Sequence, residues 1–123
     1  MPAAEQIRAA VLRYLDTVAT GTSADIAALY AEDATLEDPV GTPPHAGRAA
    51  IEEFYRPLDA VRTTTELLTV RIAGNSAAFG FRVVTETGEQ TVTVSPIDVM
   101  TFDEQAQITS MRAFWSPDDI EPR

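Results

Sequence analysis

Two aspartates occupy strand positions at which the hydrophobic alternation calls for apolar side chains. Because neighbouring side chains of a strand point to opposite faces, Asp38 shares a face with Ala34 and Leu36. Asp98 lies in the middle of the apolar face of residues 92–102. An ionised carboxylate is costly to bury without a partner, so such a group pairs with a cation, takes up a proton or serves a function.

A tyrosine accompanies the two acids, because Tyr14 falls on the apolar stripe of the first expected helix. Two acids and a phenol that face one interior indicate proton-transfer chemistry. Asp38, at a strand end before a proline-rich loop, is expected to stay ionised and act as a general base. Asp98 sits mid-strand, where desolvation raises a carboxyl pKa by up to roughly 3–5 units, so it can remain protonated and donate. Together with Tyr14 it would stabilise an enolate oxygen.

Each of these residues also has a purely structural interpretation. Tyr14 fits an ordinary helical core position whose hydroxyl needs some partner. Asp38 precedes Pro39 and fits a turn residue that caps the loop. For Asp98, an internal salt bridge to Arg112 or Arg82 would be sufficient.

Composition narrows the remaining classes of function. The chain has 123 residues, no cysteine and a formal charge of -10, and we expect one domain over 1–123. Such a charge repels phosphate backbones, so no nucleic-acid partner is expected. A lone His45 in a loop does not predict a metal site. No apolar run is long enough to span a membrane, and the N-terminus lacks a secretion-signal pattern, so a cytoplasmic location is expected.

The first half of the chain has helical periodicity. A first helix is predicted from about Ala3 to Thr20, and a second from Ser23 as its N-cap, with a stripe formed by Ile26, Leu29 and Tyr30. After the short strand that contains Asp38, Gly47 introduces a third helix with Ile51, Phe54, Tyr55 and Leu58 on one side, and Pro57 should end or kink it near Tyr55.

The second half alternates with period two. The predicted strands carry Leu68, Val70 and Ile72, then 77–83, then one long strand over 92–102, and finally 108–115. This order predicts an α+β fold in which helices pack on a curved, largely antiparallel sheet and leave an apolar pocket between the layers.

Several local sequences resemble the Δ5-3-ketosteroid isomerase family, which belongs to the NTF2-like and SnoaL-like cone-fold superfamily. They are Tyr14, the run Glu37-Asp38-Pro39-Val40-Gly41, the run Pro96-Ile97-Asp98, and Ser110-Met111-Arg112-Ala113. The resemblance implies a cone of three N-terminal helices on a curved antiparallel or mixed sheet. It implies isomerisation of 3-oxo-Δ5-steroids to conjugated 3-oxo-Δ4-steroids, with Asp38 carrying a proton from C4 to C6 through a dienolate.

The resemblance also implies the surroundings of the site. Tyr14 and Asp98 would bind the 3-oxygen, and Tyr30 and Tyr55 match tyrosines that hydrogen-bond onward from the catalytic phenol. The residues that match the lining of the steroid pocket are Phe54, Phe81, Met111 and Trp115, and Met100 stands where other members carry an aromatic residue. No cofactor or metal is implied, the substrate is a small apolar steroid, and a homodimer is expected, with Val84, Ile97 and Val99 as a candidate interface.

Two other classes of function remain open at this point. The same cone scaffold suits another small-molecule enzyme, such as an epoxide hydrolase or a polyketide cyclase. It also suits a non-catalytic ligand-binding module, because a fold alone does not determine a function.

Overall fold

The computed structural model of the chain describes residues 2–121. Helix α1 spans Ala4–Thr20 and ends at Gly21, whose amide donates to the Thr17 carbonyl at 2.8 Å. Its buried side chains recur at helical spacing and include Tyr14 among aliphatic residues. The expectation for this helix is confirmed to within one residue.

The second helix is shorter than the sequence pattern predicts. Helix α2 spans only Ser23–Ala27, and its N-cap is Thr22, whose hydroxyl accepts a hydrogen bond from the Asp25 amide at 3.1 Å. The prediction of Ser23 as N-cap is therefore wrong by one residue. Tyr30 is not on this helix either, because the next strand already begins there.

Strand β1 spans Tyr30–Glu37, and Asp38 follows directly at its end. A two-residue strand β2, His45–Ala46, pairs with β1 and leads into helix α3, Arg48–Tyr55. The chain then tightens into a 3-10 helix, Arg56–Ala60. Pro57 lacks an amide hydrogen and therefore favours the end of α3 near Tyr55, as predicted.

The remaining strands form an eight-stranded mixed sheet with β1 and β2. Strand β3 spans Arg62–Ala73, β4 spans Ser76–Glu86, β5 spans Thr91–Val94, β6 spans Ile97–Phe102, β7 spans Ile108–Phe114 and, after a 3-10 turn at Pro117–Asp119, β8 spans Ile120–Glu121. The order is β2-β1-β7-β6-β4-β5-β8, with β3 on the other edge of β4. All pairs between these strands are antiparallel except β1 with β7, which is parallel.

Two strand predictions require correction. Leu68 does not share the inner face of Val70, because the register of β3 against β4 shifts between Leu67 and Thr69. Such a bulge reverses the alternation, so Leu67 is packed against the core and Leu68 is exposed. The long strand over 92–102 is interrupted at Ser95 and Pro96, which divide it into β5 and β6.

The interruption leaves the register unchanged, since Val94 lies opposite Val83 and Ile97 lies opposite Gly80 on the same strand β4. Asp98 therefore keeps the inward orientation that the alternation predicted, opposite Phe79.

The core lies between the helices and the concave face of the sheet. Helix α1 packs mainly on β3, while α3 packs on α2 and β1. This arrangement is the α+β cone that the sequence predicts. In the described part of the chain, no helix is long and apolar enough to cross a membrane.

Candidate active site

A cavity of about 300 Å³ opens between the helices and the inner face of the sheet. It brings together Tyr14 from α1, Asp38 from the end of β1 and Asp98 from β6. These residues are far apart in sequence, and the curvature of the sheet places them on one surface. The full lining is Tyr14, Val18, Asp38, Phe54, Tyr55, Pro57, Leu58, Phe81, Val83, Thr85, Val94, Pro96, Asp98 and Trp115.

Asp98 is the most unusual residue of the site, because its side chain is only 1% exposed and carries an acid group. Within residues 2–121, its Oδ1 atom has no hydrogen-bond partner. Burial raises the pKa of Asp98 well above its ordinary value, and the nearby charge of Asp38 raises it further. Both effects favour the protonated form of Asp98, in which the carboxyl group can donate a hydrogen bond into the cavity.

The salt-bridge interpretation of Asp98 is wrong. Arg112 pairs with Glu37, with an Nε to Oε1 distance of 3.2 Å, and Arg82 pairs with Glu66 across β3 and β4. Both arginines lie on the outer face of the sheet, so neither supplies a positive charge to the cavity.

Asp38 lies in a more polar environment than Asp98. The indole Nε1 of Trp115 donates a hydrogen bond to its Oδ1 at 2.7 Å. Burial raises the pKa of Asp38, while the Trp115 hydrogen bond and the charge of His45 lower it. Burial is the largest of these effects and raises the pKa of Asp38 overall, but less than that of Asp98, so Asp38 is the better suited of the two to act as an ionised base.

Three tyrosine hydroxyls form a buried chain that ends in the cavity. The Tyr30 hydroxyl lies 2.6 Å from that of Tyr55, which lies 2.9 Å from that of Tyr14. In each pair, either hydroxyl group can be the hydrogen-bond donor. Burial is the largest cause of a raised pKa in all three phenols, so they remain neutral donors.

The structure separates the residues predicted to contact a ligand into two groups. Phe54, Phe81 and Trp115 line the cavity, whereas Met100 and Met111 do not. The two methionines are fully buried, and they lie opposite each other on β6 and β7. The expectation that they line the pocket is therefore corrected, because their side chains fill the core between the sheet and the helices.

Sequence reasoning missed several lining residues. Val83 and Thr85 continue the inward alternation of β4 beyond Phe81, so this pattern was a usable signal. Pro57 and Leu58 come from the 3-10 segment after α3, which the sequence did not identify as a wall. The Trp115 bond to Asp38 joins residues 77 positions apart and had no local signal.

Residues 11–111 match the family model described as a SnoaL-like domain. The chain belongs to the SnoaL-like family. A curated relative from Nocardioides simplex, named steroid Delta-isomerase, is 62% identical over 115 residues, which cover 94% of each protein. The resemblance to the ketosteroid isomerases inferred from the sequence is thereby confirmed.

A solved structure is also closely similar to this SnoaL-like protein. It is SalBIII, described as an epoxide hydrolase/cyclase-like enzyme with a role in pyran ring formation in the polyether salinomycin. The TM-score is 0.90 with 28% sequence identity, and the alignment covers 98% of each chain. Within residues 2–121, no three histidine, aspartate or glutamate side chains are grouped as a metal site would require.

Proposed function

We propose that this protein is a steroid Δ-isomerase that converts 3-oxo-Δ5-steroids to conjugated 3-oxo-Δ4-steroids. The observation that carries the proposal is the buried carboxyl group of Asp98, which lines an apolar cavity together with Asp38 and Tyr14. A cavity of this kind suits a ligand that is apolar except for a carbonyl group. The 62% identity to a protein named steroid Delta-isomerase supports the same substrate class.

Asp38 acts as the general base in this proposal. Its ionised carboxylate removes a proton from C4, next to the 3-carbonyl, and the electron pair of the C–H bond moves into a dienolate. Trp115 holds one carboxylate oxygen and leaves the other to accept the proton. The protonated Asp38 then returns the proton to C6, which moves the C=C bond into conjugation and regenerates the base.

Tyr14 and Asp98 stabilise the negative charge that develops on the 3-oxygen. Both are neutral donors in a mainly apolar cavity, where fixed hydrogen bonds act strongly on a developing charge. Tyr55 and Tyr30 extend the arrangement, because a donor sequence from Tyr30 through Tyr55 to Tyr14 leaves the Tyr14 hydrogen free for the substrate oxygen. The substrate carbonyl is itself the electron acceptor.

Replacing the base gives the most direct functional test. Asp38→Asn should abolish turnover, measured as the rise of conjugated-enone absorbance from an unconjugated 3-ketosteroid, while a steroid ligand still binds. Asp33→Asn is a matched control, since Asp33 is an exposed residue of β1. Near-native turnover by Asp38→Asn would exclude the proposed mechanism.

The likeness to SalBIII favours a second candidate, an enzyme that opens epoxides or closes rings. A protonated acid and a carboxylate base in one cavity also suit that chemistry. A panel of epoxides tested beside the unconjugated ketosteroid separates the two, and turnover of epoxides alone would favour the second.

A non-catalytic module would bind an ionisable phenolic steroid only in its neutral form, whereas an oxyanion-binding site favours partial ionisation.

We also propose that residues 1–123 form one domain that pairs as a homodimer through the outer face of the sheet. Ile97 is 52% exposed there and lies opposite Phe114, which is 41% exposed. Val84 and Val99 are on the same face of the sheet. The expected cytoplasmic location stays a prediction.

A further inference from the structure

Two threonines face each other at the end of the cavity remote from Asp98. Thr63 of β3 and Thr85 of β4 are direct cross-strand partners, so their side chains lie on the same face of the sheet. Cβ atoms in such pairs are about 4.5–5.5 Å apart. Thr85 lines the cavity, and Thr63 beside it is only 6% exposed.

Neither hydroxyl has a hydrogen-bond partner within the described part of the chain. The Oγ1 atom of Thr63 is buried and unpaired, and Thr85 makes no side-chain hydrogen bond. The next inward threonine of β3 is different, since Thr65 donates to the Leu15 carbonyl at 2.9 Å. Buried hydroxyls are nearly always paired in folded proteins, so the unpaired Thr63 hydroxyl indicates a pairing that forms only when a ligand is bound. Its neighbour Thr85 lines the cavity and can turn its hydroxyl between Thr63 and a ligand.

The position of the pair along the cavity indicates which end of a ligand it meets. Asp98 lies opposite Phe79, and Thr85 is six residues further along the same strand. At the rise of a strand this is about 20 Å along the chain, and less in a straight line because the sheet is curved. The side chains between them on that face, Phe81 and Val83, are apolar.

We infer that Thr63 and Thr85 form a polar subsite for an oxygen at the end of the ligand opposite its reacting carbonyl. Thr85 bonds the ligand oxygen, and Thr63 bonds the Thr85 hydroxyl and fixes its direction. Because a hydroxyl both donates and accepts, the subsite takes a ketone or an alcohol. The inference rests on the proposed function for the steroid skeleton, on which this oxygen belongs to ring D or to its side chain.

Binding of reaction products tests the subsite without any turnover. Three 3-oxo-Δ4-steroids are compared by calorimetry: one without oxygen at the ring D end, one with a 17-oxo group and one with a 20-oxo side chain. The wild-type protein should bind at least one oxygenated steroid about tenfold more tightly than the first, which is the value of one ordinary hydrogen bond. The preferred compound distinguishes ring D from the side chain.

Removal of either hydroxyl should abolish this preference. Thr85→Val and Thr63→Val should bring the ratio of dissociation constants close to one, while the dissociation constant of the steroid without the second oxygen stays the same. Thr64→Val is the matched control, because Thr64 lies next to Thr63 and is exposed on the opposite face. Thr63→Val should also raise Tm, since it removes a buried unpaired hydroxyl.

The inference is overturned if the double variant Thr63→Val/Thr85→Val keeps the wild-type ratio, or if none of the three steroids binds. A wild-type protein that binds with the expected ratio but does not isomerise a 3-oxo-Δ5-steroid would support the subsite and refute the proposed function. The two claims are therefore tested separately.

Discussion

At the scale of single residues, two chemically identical side chains acquire opposite properties from their surroundings. Asp98 has an unpaired buried carboxyl oxygen, whereas Asp38 accepts a hydrogen bond from Trp115. The first environment favours the neutral acid and the second tolerates the carboxylate. This difference in environment, rather than a difference in residue type, divides the roles of donor and base.

The raised pKa of Asp98 makes folding stability depend on pH. Folded Asp98 binds a proton more tightly than unfolded Asp98, so its contribution is fully present below the unfolded pKa and declines as pH rises toward the folded pKa. Asp98→Asn mimics the neutral acid and escapes this decline. Between the unfolded and the folded pKa of Asp98, the free energy of unfolding of Asp98→Asn relative to that of the wild type should therefore rise by about 1.4 kcal/mol for each pH unit.

Urea unfolding of both proteins at pH 5, 6 and 7 measures this difference. Asp33→Asn, on the exposed side of β1, is the matched control. A difference between Asp98→Asn and the wild type that stays constant with pH would show that Asp98 ionises normally in the folded protein.

At the scale of elements, short segments complete the wall of the cavity. Pro57 and Leu58 belong to the 3-10 helix Arg56–Ala60, in which no residue is fully buried. Asp59 ties this helix to α2, because its carboxylate accepts hydrogen bonds from the Ser23 amide at 2.7 Å and the Ser23 hydroxyl at 2.6 Å. These bonds lower the pKa of Asp59, so the tie persists at neutral pH.

Removing the hydrogen bonds between Asp59 and Ser23 should weaken steroid binding more than it slows the chemical step. Asp59→Ala leaves the 3-10 helix without its link to α2, so the KM for the steroid should rise while kcat changes little. Steady-state kinetics measure both parameters, with Asp16→Ala on the exposed face of α1 as control. A fall in kcat at unchanged KM would contradict a role in shaping the wall.

The strands also show which features of the fold the sequence pattern could predict and which it could not. The alternation of apolar and polar residues correctly predicted that Asp98 lies on the inner face of the sheet, because the register of β5 and β6 against β4 is continuous across Pro96. It failed at Leu68, since a bulge in β3 has no signature in the spacing of apolar residues. Helical spacing also placed Tyr30 on the second helix, although β1 begins at this residue. An apolar residue at a helical interval can equally well be the first residue of a strand.

The acidic residues of the candidate site could be predicted from the sequence, but several residues that line the cavity could not. Asp38, Asp98 and Tyr14 stand out because polar groups break an apolar pattern. Met100 and Met111 gave no such signal, because core methionines and cavity methionines have the same spacing. The Trp115 contact with Asp38 depends on β1 and β7 lying side by side, which is a property of the tertiary fold.

At the scale of the whole molecule, an acidic protein carries an apolar patch on its outer sheet face. The formal charge of -10 opposes association, whereas Ile97 and Phe114 favour it by removing apolar surface from water. The proposed dimer therefore depends on this patch, and higher salt should strengthen it by screening the repulsion.

Light scattering at micromolar concentration should give the mass of a dimer, and Ile97→Glu should give that of a monomer. Leu12→Glu is the matched control, because Leu12 is 50% exposed but lies on α1. A monomeric wild type, or a dimer that Ile97→Glu does not affect, would refute this interface.

The central claim is that one molecule holds Asp98 protonated and Asp38 ionised at neutral pH. Infrared spectroscopy with ¹³C-labelled aspartate measures this directly, since a protonated carboxyl group has a C=O stretch that a carboxylate lacks. We expect one such band at pH 7 in the wild type, retained in Asp38→Asn and lost in Asp98→Asn. Absence of the band from the wild type, or its loss in Asp38→Asn alone, would contradict the assignment of donor and base.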